Sequence, residues 1–170
     1  MDSKQPFHVL VLCTHNRTRS VMAGYLLRSL VADSNVEVAT AGFGDSGRTA
    51  MPQAIQLLRQ AGCEVYEHRS TAVTIEMVSK ANLILVAEKK QVMAVVVDLE
   101  GNFDITFTLP EFATSSQHKV ERPRGLAYLK ADVSEVHDPT GRDEAVWRQV
   151  WNEIQQWCSI AARSIEESLK

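Results

Sequence analysis

Apolar positions along this chain fall into two alternating rhythms. Short uninterrupted runs, Phe7 to Leu12 and Leu83-Ile84-Leu85-Val86-Ala87, have the length and branched-residue content of buried strands. Val36 to Thr40 reads as another strand, and Ile105 to Leu109 as a last short one. Between them the apolar residues space out to helical intervals. Val21 to Val31 places Met22, Leu26 and Leu30 on one side, and Met51 to Ala61 carries Pro52 in its first turn with Gly62 as its stop. Thr74 to Lys80 predicts a brief helix. Lys89 to Val97 predicts another, against the β-branched bias of its valines, and Val65-Tyr66 predicts a short extended piece. From Asp143 the pattern predicts one long amphipathic helix, with Trp147, Val150, Trp151, Ile154, Cys158, Ala161, Ile165 and Leu169 on a single stripe. Strands separated by helices indicate a three-layer α/β fold, a four-stranded parallel sheet flanked by helices, in one domain over residues 1–170. The least regular part, 113–130, reads as a helix end and a mobile connection whose Lys119, Arg122, Arg124 and Lys130 form a solvated surface loop.

Charge narrows the classes of function. Eighteen basic residues against 21 acidic ones give a formal charge of −3, which argues against a general nucleic-acid surface. No apolar run approaches a membrane span, and the N-terminus leads into the first strand without a signal-peptide apolar region. Cys13, Cys63 and Cys158 are scattered, odd in number and without metal-ligand spacing. That favours reduced thiols in a cytoplasmic protein, with no metal and no cofactor expected.

The candidate chemistry lies where the first strand ends. In Cys13-Thr14-His15-Asn16-Arg17-Thr18-Arg19-Ser20, a cysteine closes an apolar run and an arginine follows six positions on, at the start of a helix. A loop between a strand end and a helix N-terminus turns N–H groups towards one point and makes an anion site. There a thiolate is stabilised by the helix dipole and a guanidinium, whose planar fork can grip a tetrahedral oxyanion. The plain alternative is a buried cysteine ending a core strand, with Arg19 exposed in the first helical turn. A second candidate, Asp138 in Glu135-Val136-His137-Asp138-Pro139, is equally a common helix-starting pair when read alone.

Together these two segments resemble the low-molecular-weight protein tyrosine phosphatase family, which pairs an N-terminal Cys-x5-Arg-Ser loop with a C-terminal Asp-Pro. Thr40-Ala41-Gly42, Pro52, Ala54, Gly62, His68-Arg69-Ser70 and Ala81-Asn82-Leu83-Ile84-Leu85 extend the likeness through the middle of the chain. The resemblance implies a phosphate-binding loop, Thr14 to Ser20, after the first strand. It implies that Cys13 attacks phosphorus to form a phosphocysteine, that Arg19 holds the equatorial oxygens, and that Asp138 protonates the leaving oxygen and then activates water. Ser20 would donate a hydrogen bond to the thiolate. Asn16 would hold the loop in shape through the Thr40-Ala41 turn. His68 and Glu88 would form a structural histidine–carboxylate pair. Cys63 and Cys158 read as inert core thiols.

Three departures bear on substrate. Thr18 stands where the family loop carries a second cysteine, so Cys13 lacks an intraloop disulfide partner during oxidation; His15 replaces a glycine. Arg17 stands where tyrosine-specific members are apolar and phosphoarginine-specific relatives carry threonine. Either it places a cation at the pocket rim, repelling phosphoarginine, or it points into solvent. Thr140 and Gly141 replace the aromatic residues that usually follow Asp-Pro, leaving Phe43 and Thr140 as candidate pocket walls. The expected substrate is a phosphorylated protein, with phosphotyrosine the default, or a small phosphomonoester. An arsenate reductase using a small-molecule thiol and a non-catalytic oxyanion-binding module are the competing readings.

Overall fold

The structure, a computed structural model, describes residues 5–115 and 121–170. Strands β1 (Phe7–Cys13), β2 (Val36–Gly42), β3 (Leu83–Val86) and β4 (Thr106–Thr108) form one parallel sheet in the order β2-β1-β3-β4. The register sets Cys13 opposite Gly42 and Leu12 opposite Val86. Alternation along β1 and β3 divides the core in two. Val9, Val11, Cys13 and Leu85 face one layer, while Leu10, Leu12, Ile84 and Val86 face the other.

Helices α1 (Arg19–Leu30), α2 (Pro52–Gln60) and α7 (Glu144–Ser168) supply buried residues to the first layer. The α7 stripe is buried from Trp147 to Ile165, where Ile154 and Cys158 are fully enclosed. Each such aliphatic side chain contributes about 1.5–3 kcal/mol. Helices α3 (Ile75–Lys80), α4 (Lys89–Asp98) and α6 (Leu126–Lys130) cover the second layer. The valines of α4 do not prevent the helix, because Val92 and Val95 are buried in that layer and Glu88 and Gln91 form a capping box at its start. Tertiary packing overrides a weak propensity here.

The sequence reading is corrected in three places. Leu109 opens α5 (Leu109–Ser115) instead of closing β4. Val65-Tyr66 belongs to no strand; the bridges in that region join Gly42 to Ala72 and Thr49 to Arg69. Arg122 is not a solvated charge. It donates to Glu111 and to the carbonyls of Phe103 and Thr106, and it stacks over the Phe103 and Phe107 rings. Tyr128 donates to the same Glu111, and burial followed by that bond pushes its phenol pKa well above the ordinary value. Arg124 pairs with Asp104. Lys119 lies outside the described residues.

In a parallel sheet, loops following adjacent strands that run off in opposite directions leave a crevice at the strand ends. Here β1 connects towards β2 on one side and pairs β3 on the other, so the crevice opens beyond Cys13 and Val86.

Candidate active site

Cys13 is the last residue of β1 and Arg19 the first of α1, with a tight loop between them. The loop is shaped by Asn16, the only non-glycine besides Glu100 with positive φ among the described residues (52°). An asparagine adopts that conformation at lower cost than most residues. Its buried amide spans the structure: Nδ2 donates to Ser20 Oγ at 2.9 Å, and Oδ1 accepts from the Thr71 N–H at 3.0 Å. Asn16 thus ties the loop to the 71–72 segment and not to the Thr40-Ala41 turn. Because Ser20 Oγ receives the Asn16 proton, its own proton is directed to Cys13 Sγ, 3.0 Å away. That is the donor a thiolate requires.

The N–H groups of His15, Asn16, Arg17 and Thr18 have no hydrogen-bond acceptor among the described residues. Thr18 precedes α1 without capping it, its hydroxyl engaging Thr140 Oγ1 at 3.2 Å, and the first turn of α1 carries no acid. The positive end of the helix and a run of unpaired donors therefore face the loop interior, which is the electrostatic requirement of an anion site. Two glycines allow the β2 exit to press against this loop. A Cβ on Gly42 would lie 2.7 Å from the Asn16 N atom, and one on Gly44 would lie 2.8 Å from His15 Nδ1.

Arg19 is almost fully buried and its guanidinium is fixed from three directions. Nη1 donates to Glu88 Oε1 at 2.7 Å and to the Val136 carbonyl at 3.1 Å, and Nη2 reaches Thr14 Oγ1 at 3.3 Å. Burial works against the Glu88 carboxylate, but hydrogen bonds from Lys90 and Arg19, with their charges, hold its pKa below the ordinary value. The histidine–carboxylate pair expected between His68 and Glu88 does not form. His68 Nε2 donates to the Asn16 carbonyl at 2.8 Å, and Nδ1 accepts from the Tyr25 hydroxyl at 3.2 Å. Burial lowers the His68 pKa over the opposing Asn16 bond, and the Arg28 charge adds to the lowering.

Asp138 reaches the site on a separate loop clamped to the end of β3. Val136 N–H donates to the Ala87 carbonyl at 2.8 Å, and Glu135 Oε1 accepts from Lys89 N–H at 2.7 Å. One Asp138 oxygen accepts from Thr140 N–H at 3.0 Å; the other stands 3.6 Å from Arg19 Nη2, and the side chain stays half-exposed. A cavity of about 60 Å³ joins Cys13, His15, Arg17, Thr18, Arg19, Asp138 and Thr140, with Met51 as an apolar wall.

Arg17 is therefore a lining residue. Its Nε donates to the Thr49 carbonyl at 2.7 Å. Phe43 does not line the cavity: it is partly buried against the second core layer, drawn away from the site by apolar contact. Met51 and Gln91 went unnoticed in the sequence. Gln91 donates to Thr14 Oγ1 at 3.1 Å while its oxygen accepts from the Ala87 and Glu88 N–H groups, and the Glu88-x-x-Gln91 spacing was its only signal. Among the described residues no group of three or more His, Cys, Asp or Glu could hold a metal ion, and no helix is long and apolar enough to cross a membrane.

The arrangement combines a sulfur nucleophile with a hydroxyl donor, an oxyanion cradle, a fixed guanidinium and a carboxyl group at the cavity mouth. It can transfer a phosphoryl group to sulfur and protonate the departing oxygen.

The family model described as low molecular weight phosphotyrosine protein phosphatase matches residues 8–170. A probable low molecular weight protein-tyrosine-phosphatase, EpsP of Ralstonia solanacearum, is 40% identical over 90 residues, 51% of this chain and 61% of that protein. The chain thus matches less than two thirds of the length of the EpsP relatives. The protein-arginine-phosphatase of Bacillus subtilis strain 168 is 26% identical over 163 residues, 94% of this chain and 97% of that one. Among solved structures, the YwlE arginine phosphatase of Geobacillus stearothermophilus is 26% identical with a TM-score of 0.76, covering 96% of this chain and 95% of that one. The tyrosine phosphatase Wzb of Escherichia coli K30, in complex with sulphate, is 23% identical with a TM-score of 0.71, covering 96% and 98%.

Proposed function

The chain belongs to the low molecular weight phosphotyrosine protein phosphatase family, and on that premise we propose that it hydrolyses phosphomonoesters, by default protein phosphotyrosine, through a phosphocysteine. The observation that carries this reading is the meeting of Cys13, Arg19 and Asp138 around one small cavity from opposite ends of the chain. Cys13 Sγ attacks phosphorus while the loop N–H groups and Arg19 take the three equatorial oxygens, whose charge spreads in the transition state. Asp138 gives its proton to the leaving oxygen, then takes one from the water that cleaves the S–P bond, releasing inorganic phosphate and free thiolate. In a solved structure of the same fold, a mutant of the YwlE arginine phosphatase has a phosphorylated active-site serine, so in that protein the active-site side chain carries the phosphoryl group.

Phosphoarginine is a poor fit to this cavity. Its guanidinium would enter beside Arg17 as well as Arg19, with Asp138 the single acid in the lining. Phosphotyrosine brings no such charge, and Met51 offers an apolar wall for a ring.

The test is turnover of p-nitrophenyl phosphate, phosphotyrosine and phosphoserine peptides, phosphoarginine, and arsenate with a thiol. Cys13→Ser is expected to abolish hydrolysis. Asp138→Ala is expected to lower kcat with poor leaving groups by about 10²–10³-fold. Phosphatase turnover that survives Cys13→Ser defeats the mechanism, and thiol-dependent arsenate reduction without phosphatase activity favours the reductase.

A further inference from the structure

Of the described arginines, Arg17, Arg19 and Arg122 are buried or half-buried, and the others are exposed. Carboxylates match two of them: Arg19 faces Glu88 at 2.7 Å, and Arg122 faces Glu111 at 2.8 Å. Arg17 has no carboxylate within ion-pair distance among the described residues. Its side-chain hydrogen bond runs from Nε to a neutral acceptor, the Thr49 carbonyl. Drawing a guanidinium partly out of water without a counter-charge costs free energy that a bound anion would offset.

The setting of this unmatched charge indicates which anion. The loop N–H groups and Arg19 already serve the reacting phosphoryl group, above a Cys13 that is 2% exposed. Arg17 is less buried than either Cys13 or Arg19. Its carbonyl accepts from Met51 N–H at 2.8 Å and its Nε is tied to the exposed Thr49, so the residue is clasped to the 49–51 segment through main chain and side chain. Met51 and Arg17 both line the catalytic cavity, which puts an apolar residue and a cation on one wall. Asp138, the acid of that lining, stands 3.6 Å from Arg19 Nη2 and does not pair with Arg17.

We propose that Arg17 is a specificity-determining residue that favours phosphomonoesters whose leaving group carries a second anionic group, a carboxylate close to the reacting phosphate; the inference rests on the phosphatase reading. A leaving group lying against Met51 brings such a carboxylate towards the guanidinium, where opposite charges attract. The two loop arginines then divide the work: Arg19 holds the reacting group, and Arg17 reads what is attached to it.

The test uses pairs of esters with the same leaving phenol. N-acetyl-phosphotyrosine is compared with its neutral amide, and a peptide with aspartate after phosphotyrosine is compared with one carrying asparagine there. The first pair places the carboxylate on the reacting residue and the second on its neighbour. Wild type is expected to favour the acidic member of at least one pair by about fivefold in kcat/KM, the scale of a solvent-accessible ion pair. Added salt is expected to shrink that ratio. In Arg17→Gln, whose amide can still donate to the Thr49 carbonyl, the ratio is expected to fall to about one, whereas Arg17→Lys, which keeps the charge, retains a preference. No preference in wild type overturns the proposal. A preference that survives Arg17→Gln also overturns it, even where both rates fall, since Arg17 would then act on the reacting phosphate or not at all. Equal loss of the preference in Arg17→Gln and Arg17→Lys overturns the charge argument. The same ratios, read as Kd in Cys13→Ser protein, need no turnover, so failure of wild type to hydrolyse any ester defeats the phosphatase reading separately.

Discussion

The Cys13 sulfur depends on a short relay of hydrogen bonds whose direction is set by one asparagine. Asn16 Nδ2 occupies a lone pair of Ser20, and the Ser20 proton is left for sulfur. Removing the hydroxyl removes a charge-assisted bond worth about 1.5–3 kcal/mol to an ionised partner. Ser20→Ala is therefore expected to slow alkylation of Cys13 by iodoacetate at neutral pH by about tenfold or more, the equivalent of ~1.4 kcal/mol. An unchanged alkylation rate in a folded Ser20→Ala protein would show that the helix end and Arg19 stabilise the sulfur without it. The same experiment separates the three thiols. Cys158 is fully buried and its pKa is driven up by that burial, with Cys63 adding to the effect, so label is expected on Cys13 first. The Cys-x5-Arg spacing was enough to single out the nucleophile loop. The bond from Ser20 to sulfur followed from the family resemblance; the anchor of Asn16 was not legible, because Thr71, whose N–H donates to the amide oxygen, lies 55 residues away.

Two loops must meet for acid catalysis; Arg19 reaches the Val136 carbonyl and Asp138, and a bond between hydroxyls joins the loops beside them. Thr18 belongs to the phosphate loop and Thr140 to the Asp138 loop, and their Oγ atoms lie 3.2 Å apart. The clamp on β3, through Val136 and Glu135, places the Asp138 loop as a whole; the threonine pair closes its tip. A neutral hydrogen bond contributes about 1 kcal/mol net, or roughly a fivefold rate change when it acts only on the positioned state. Thr140→Val is expected to lower kcat by about that factor on substrates with poor leaving groups, where proton donation limits the rate. Adding Thr18→Val should cost little more, since both variants break one bond. Fully multiplicative losses in the double variant would mean that the hydroxyls act separately. At this scale the sequence was partly readable. Asp138 was found through its Asp-Pro neighbour and its order in the chain. Phe43 was misplaced because an aromatic after β2 serves equally well to cover the second core layer, and local pattern does not distinguish the two.

The whole fold was legible to the extent that its layers are periodic. Apolar runs marked the strands, a three-to-four spacing marked α7, and their alternation gave a parallel sheet covered on both faces. Contacts made by polar residues across long separations were not legible: Arg122 in its aromatic and carboxylate nest, and His68 between Tyr25 and Asn16. His68 couples the active-site loop to global stability. Its Nδ1 accepts from Tyr25, so protonating that nitrogen breaks the bond and places a charge in a buried site near Arg28. The folded-state pKa is accordingly lower than the unfolded one. Between those two values the unfolded chain binds more protons, so stability rises with pH. This contribution is fully present above about pH 6.5, the unfolded value, and is lost as pH falls from there through the folded value. Wild type is expected to lose urea-midpoint stability between pH 7.5 and 5.5. His68→Gln, whose amide can still donate to the Asn16 carbonyl, should be less stable at pH 7.5 yet show a shallower acid slope. If the two proteins lose stability in parallel over that range, the acid sensitivity arises elsewhere. In that case His68 acts only as a packed, neutral support for the loop.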